Sequence, residues 1–159
     1  MTQITVITVG TLKEKYLIDA CAEYKKRLSQ FARVNEISLR EERIADEDDK
    51  SAVLRALDAE ADAILEKVPS DAIKIALCVE GKEYSSEELA SLVSSAEDER
   101  GKIALIIGSS HGLSERVKRE CRVRLSFSRM TFPHQLMRVI LYEQLYRSYT
   151  IIHNKRYHK

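Results

Sequence analysis

Three stretches of this sequence combine residue types suited to holding a ligand. Leu77-Cys78-Val79-Glu80-Gly81-Lys82 and Ile106-Ile107-Gly108-Ser109-Ser110-His111-Gly112-Leu113 each run from an apolar segment into a glycine turn. The third, Leu125 to His134, reads LSFSRMTFPH. Glycine lets backbone approach a ligand closely or take positive φ. It also serves a plain strand-to-helix turn, so the two glycine turns alone leave both readings open. The third stretch is more telling, because Phe127, Met130 and Phe132 are apolar where surface turns favour Gly, Asn and Asp. Such a connection is expected to be buried, and its backbone groups then need partners that a bound cofactor could supply. Near the C-terminus stand Arg147, Tyr157 and His158, whose plain readings are a solvated charge favoured by a helix C-terminus and a frayed tail.

The common nucleotide and hydrolase signatures are missing. Gly108 to Gly112 is GxxxG rather than GxGxxG, and neither GxxxxGK[ST] nor GxSxG occurs.

Alternating elements position these stretches. Ile4–Val9, Val34–Leu39, Ala72–Val79, Lys102–Ile107 and Arg122–Phe127 read as strands. Leu12–Leu28 and Ser51–Val68 carry apolar residues at helical spacing, and Glu41–Asp49 between them reads as a loop. Ser85-Ser86-Glu87-Glu88 is a helix start running to about Ala96, and Leu113–Cys121 is a short basic helix. Pro133 opens a last helix to about Tyr149, where a missing N–H is tolerated in the first turn. The order predicts an α/β domain with a mostly parallel sheet flanked by helices. Ligands in such sheets bind at the carboxyl ends of strands, where all three stretches lie.

A chain of 159 residues is expected to be one domain with a core of its own. No apolar run reaches the ~20 residues of a membrane span, and no secretory signal is evident. Cys21, Cys78 and Cys121 suggest neither a disulfide framework nor a metal site. A cytoplasmic location is therefore expected. The net charge of +1 hides an asymmetry: residues 1–112 hold 15 basic and 22 acidic side chains, residues 113–159 hold 11 and 3. A basic third suits a polyanion, unless the two parts neutralise each other across the fold or a dimer.

The stretches GSSHGL, LSFSRMTFPHQLMRV and EQLYR, with the terminal YHK, resemble the RlmH (YbeA-like) family of ribosomal RNA large-subunit methyltransferases, small SPOUT-class enzymes. The opening GTLKEKY and the strand-EGK turn also fit, so the resemblance spans the chain. It implies a single SPOUT methyltransferase domain over 1–159, with a deep trefoil knot around a cofactor region of about 101–150 and a catalytic tail at 151–159. It implies a homodimer, S-adenosylmethionine without a metal, and methylation of N3 of a pseudouridine in helix 69 of 23S rRNA on the assembled 70S ribosome, with no membrane or DNA partner. Carried over by motif, cofactor binding falls on Leu77, Gly108, Phe127, Ser128, Arg129, Met130, Thr131 and Phe132. Arg147, Tyr157 and His158 become the catalytic and target-base group. His134, Arg138, Lys155 and Arg156 are assigned to RNA, with His134 and Arg138 alternatively facing the cofactor. Arg116, Lys118, Arg119, Arg122, Arg124 and Lys159 are further phosphate candidates from the basic third. One departure is Gly108-Ser109 where many relatives carry Gly-Gly; Ser109 either crowds the amino-acid end of the cofactor or points away. The rival readings are a non-catalytic basic RNA-binding module and a nucleotide-binding regulatory α/β domain.

Overall fold

The computed structural model describes residues 1–159. Five parallel strands, β1 (Thr2–Val9), β2 (Ala32–Leu39), β3 (Ile73–Glu83), β4 (Lys102–Ile107) and β5 (Val123–Ser126), form one sheet in the order β2-β1-β4-β3-β5. The helices are α1 (Lys15–Leu28), α2 (Lys50–Lys67), α3 (Ser86–Arg100), α4 (Glu115–Glu120) and α5 (His134–Ile152). No helix is long and apolar enough to cross a membrane.

Central parallel strands are covered on both faces, which demands unbroken apolar runs. Accordingly β1 is buried from Ile4 to Val9 and β4 from Ile103 to Ile107. On one face Leu28 of α1, Val93 of α3 and Leu141, Leu145 and Tyr149 of α5 pack against Ile4, Ile75 and Leu105. On the other, Ala61 and Ile64 of α2 and Val117 of α4 cover Ile7, Ala76 and Ile106.

The ends of the elements have local causes. The Ser85 hydroxyl accepts from Glu88 N while the Glu88 carboxylate accepts from Ser85 N, a reciprocal cap that starts α3. Gly101, at φ +64°, closes that helix four residues beyond the expected end. Pro133 stands at the N-cap of α5 rather than within its first turn, and α5 continues to Ile152. The largest departure from expectation is in β3. It runs past Val79 to Glu83 because Leu125 of β5 pairs with both Leu77 and Lys82, so residues 78–81 bulge out of the ladder.

Candidate functional site

The bulge opens a cavity at the carboxyl ends of β3, β4 and β5. The cavity has a volume of about 650 Å³, within the usual range for a small-molecule or cofactor site. Its walls come from all three chemically suggestive stretches: Leu77 to Glu80, Ile107 to Leu113, and Leu125 to His134 except Arg129. Lys118 and Met137 complete it.

Backbone geometry shapes each wall. At Gly81 an added Cβ would lie 2.6 Å from the carbonyl oxygen of Arg124, so only glycine lets β3 close again on β5 below the bulge. At Gly108 an added Cβ would run into the Gly112 carbonyl. Gly112, at φ +87°, turns the chain back so that its N–H bonds Ser109 O at 2.9 Å. Gly108 thus serves the turn itself while lining the cavity. The Ser109 hydroxyl donates to the carboxylate of Glu60 on α2, at 3.2 Å, so Ser109 turns toward α2. The second Glu60 oxygen accepts from Glu42 N at 3.0 Å. Burial pushes the Glu60 carboxyl above its usual range, opposed by these two hydrogen bonds.

The connection of residues 127–132 is more open than its composition predicts. Phe127, Ser128 and Phe132 are half-buried, but Met130 is 72% exposed. Short side-chain contacts hold it: Ser126 Oγ donates to Ser128 O at 3.0 Å, and Met130 N donates to Ser128 Oγ at 3.0 Å. None of the backbone–backbone hydrogen bonds outside helices and strands uses residues 127–132. The segment therefore presents backbone donors and acceptors beside the cavity. Arg129 is the exception among the expected cofactor residues. Its side chain is 92% exposed and faces Glu83 at 3.7 Å, outside the cavity.

Arg147, Tyr157 and His158 do come together, at the opposite end of α5. The Arg147 guanidinium is 4.8 Å from the Tyr157 ring centroid, and its Nη1 is 3.2 Å from His158 Nδ1. Arginine only donates, so Nδ1 accepts and the imidazole hydrogen sits on Nε2, 2.8 Å from Glu87 of α3. Glu143, one turn before Arg147, accepts from Arg147 Nε and Nη2 at 3.0 and 2.6 Å and from the Tyr157 hydroxyl at 3.1 Å. Burial and the neighbouring Tyr24 and Glu143 push the Tyr157 hydroxyl up to about 12, so it stays a donor. Glu143 and Glu87 were not singled out from sequence. The four-residue step from Glu143 to Arg147 was legible as a helical pair; the contact from Glu87 comes through the fold alone.

The residues expected to meet RNA divide sharply. His134 lines the cavity mouth. Lys155 and Arg156 are exposed. Arg138 does not fit the expectation: it is 1% exposed, its guanidinium donates to Gly10 O, and its Nε has no partner. Glu36, whose carboxylate lies 4.0 Å away, is its counter-ion inside the fold. The helical position that places His134 at the cavity turns Arg138, four residues on, into the core.

Much of the basic third is likewise neutralised by the acidic two-thirds. Arg116 pairs with Asp62 at 2.6 Å and Asp58 at 3.2 Å, and Arg122 with Glu99 at 2.5 Å. Lys118 is buried against Glu80, and Arg124 reaches Glu115 at 3.5 Å. Arg119 remains exposed without an ion pair. Charge compensation across the fold, rather than a phosphate surface, accounts for most of residues 116–124.

Residues 2–158 match the family model described as "Predicted SPOUT methyltransferase". The chain is 47% identical to the ribosomal RNA large subunit methyltransferase H of Caldicellulosiruptor bescii, over 98% of this chain and 99% of that one. It is 45% and 44% identical to the proteins of the same name from Bacillus pumilus and Listeria monocytogenes, with the same coverage. Among solved structures, a probable methyltransferase from Bordetella pertussis superposes with a TM-score of 0.58 over 92% of this chain and 94% of that one, at 15% identity. That last likeness concerns the fold.

Proposed function

The chain belongs to the SPOUT methyltransferase family, and from that premise we propose that it is an S-adenosylmethionine-dependent rRNA methyltransferase acting on N3 of a pseudouridine in helix 69 of 23S rRNA. Its substrate is the assembled 70S ribosome in the cytoplasm, and its working form is a homodimer with a C-terminal deep trefoil knot. The observation that carries the reading is the 650 Å³ cavity with the backbone of residues 127–132, most of it unpaired, along its wall. The names of the relatives, which cover nearly all of both chains, support rRNA as the substrate class.

The residues present suit the cofactor. Leu77, Phe127, Phe132 and Met137 provide apolar surface for an adenine, and the 127–132 backbone provides donors and acceptors for its polar edge. Gly108 brings main chain to the cavity wall, and the Ser109 hydroxyl is engaged by Glu60. When bound, the cofactor supplies an electrophilic methyl group. The protein contributes alignment and control of charge.

Removing the N3 proton leaves an anionic ring, and the forked Arg147 cation suits its carbonyl oxygens. Glu143 aims that fork, and Tyr157 offers a face on which the base stacks. In this reading His158 Nδ1, released when Arg147 turns to the substrate, takes the proton, with Glu87 holding the opposite ring nitrogen.

From Met137, the last residue of α5 to line the cavity, to Arg147 is 10 helical steps, or about 15 Å along α5. One subunit's cavity and its own tail group therefore lie too far apart to share a methyl group. A second copy of the chain brings a tail to the cavity. Val79, Met130 and Leu136, exposed at 48%, 72% and 37%, supply apolar surface near the cavity for that contact. A non-catalytic RNA module would have no use for this cavity.

The test is transfer of a labelled methyl group from S-adenosylmethionine to intact ribosomes lacking the modification, followed by nucleoside mapping. Label on N3 of the helix 69 pseudouridine is expected. A folded dimer that transfers nothing, or labels another position, would overturn the proposed substrate.

A further inference from the structure

We infer that the last turn of α1 and the C-terminal tail form one docking face for the RNA backbone, with Lys26 and Arg27 as phosphate contacts. The inference rests on the rRNA reading above and extends it to a helix turn that neither the sequence motifs nor the cavity involves.

Two rows of cations and aromatic rings join α1 to the tail. In the first, the Arg27 guanidinium lies 5.4 Å from the Tyr24 ring and 5.7 Å from the Tyr146 ring. Tyr146 meets Tyr157 edge-on at 4.8 Å, and Arg147 covers Tyr157 at 4.8 Å. A basic side chain of α1 is thus two rings away from Arg147. In the second row, Lys155 Nζ lies 4.7 Å from the Phe31 centroid and 3.0 Å from Gln30 Oε1. Phe31 stacks on His153 at 5.0 Å. These contacts fasten the tail to the end of α1.

Most cations on this face have no carboxylate partner, unlike most of those at residues 116–124. Glu23, Lys26 and Arg27 share one stripe of α1 by their three- and four-residue spacing, and Gln30 follows two residues past its end. Lys26, Arg156 and Lys159 are exposed and form no ion pair, and Lys155 is engaged only by an amide and a ring. Arg27 is bonded to Glu23 at 2.9 Å, an exposed pair of the kind that contributes little and exchanges readily for another anion. The helix dipole accounts for cations in the last turn of α1. It does not account for the aromatic rows that tie those cations to Arg147 and the tail. Cations for phosphates beside rings and a guanidinium plane for unstacked bases are the chemistry of single-stranded or looped RNA.

The test is co-sedimentation of the full-length protein with intact ribosomes across a salt series, run beside methyl transfer. The Lys26→Glu/Arg27→Glu variant is compared with Lys50→Glu/Arg55→Glu, a charge-matched reversal at exposed, unpaired positions of α2. Circular dichroism and S-adenosylmethionine titration verify that each variant is folded. The α1 reversal is expected to weaken ribosome affinity at least about tenfold and to flatten the slope of log affinity against log salt by about 1.5, as loss of two phosphate contacts requires. Lys26→Glu alone, which leaves the Tyr146 packing untouched, should give about half that change in slope. Equal effects from the α1 and α2 reversals, or none from α1, would overturn the docking face. A wild-type protein that binds with the expected dependence on α1 yet transfers no methyl group would overturn the proposed function and leave the docking face standing. Wild type without ribosome affinity would overturn both.

Discussion

Glu143 and Arg147, one turn apart on α5, are joined by a fork in which one carboxylate oxygen receives both Nε and Nη2 of the guanidinium, at 3.0 and 2.6 Å. The pair fixes the plane of the guanidinium and leaves Nη1 toward His158. Lysine keeps the charge but not the fork. Arg147→Lys is therefore expected to lower single-turnover methyl transfer about 10²-fold, comparable to loss of one donor aimed at a developing anion. Arg147 is directed at the target base and not at the cofactor, so cofactor affinity measured by calorimetry should stay within about twofold. A parallel loss of cofactor affinity would show that Arg147 acts through the cavity instead.

The separation of cavity and tail along α5 makes a second prediction. Ser128→Trp places an indole in the cavity, and Arg147→Ala removes the tail's cation; each homodimer should be inactive. Mixed and re-associated in equal amounts, half of the dimers carry one of each chain, and each such dimer has one site with both parts intact. Activity should then return to about a quarter of wild type. No recovery in a verified heterodimer would mean that cavity and tail serve the same subunit.

Five strands and their order along the chain were legible because their runs are apolar or alternate, as Val34–Leu39 does, and several end in glycine, as at Val9-Gly10 and Ile107-Gly108. The walls of the cavity followed, since parallel strands direct their carboxyl ends to one edge. The bulge that enlarges the cavity did not. It depends on Leu125 pairing twice, a matter of register between β3 and β5 that neither strand encodes alone. Nor did the fate of the basic third, because the carboxylates that neutralise Arg116, Lys118 and Arg122 are 54, 38 and 23 residues away in sequence. Arg138 illustrates the same limit. A lone cation in an apolar helix reads as a surface charge, and only the placement of Gly10 and Glu36 makes it internal.

That internal cation is a matter of stability. Arg138→Ala would leave Glu36 without its guanidinium and open a void beside Tyr142, whose hydroxyl donates to the same carboxylate. Glu36 keeps Lys25 at 3.4 Å and the Tyr142 hydroxyl, so the cost comes mainly from the emptied volume and the lost bond to Gly10 O, about 2–4 kcal/mol. Urea denaturation should show a loss of that size. Ribosome affinity below the unfolding transition should keep its wild-type salt slope, because no phosphate contact is lost. A flattened slope would return Arg138 to the RNA interface.

Glu60 ties the Ser109 turn to α2 and is 5% exposed. Its native carboxyl binds its proton more tightly than a free glutamate because burial disfavours the charge. Between the usual value of about 4.5 and its raised native value, the folded chain holds more of this proton than the unfolded one. The contribution of Glu60 to stability must therefore decline as pH rises through that window. Glu60→Gln cannot titrate, and whatever fixed penalty the amide brings to its two hydrogen bonds does not vary with this ionisation. The difference in Tm, variant minus wild type, should become steadily more positive from about pH 4.5 upward, then level off once native Glu60 is ionised. A difference that stays constant across pH would mean that Ser109 and the Glu42 N–H compensate fully for burial. Glu60 would then behave as an ordinary, solvated carboxylate.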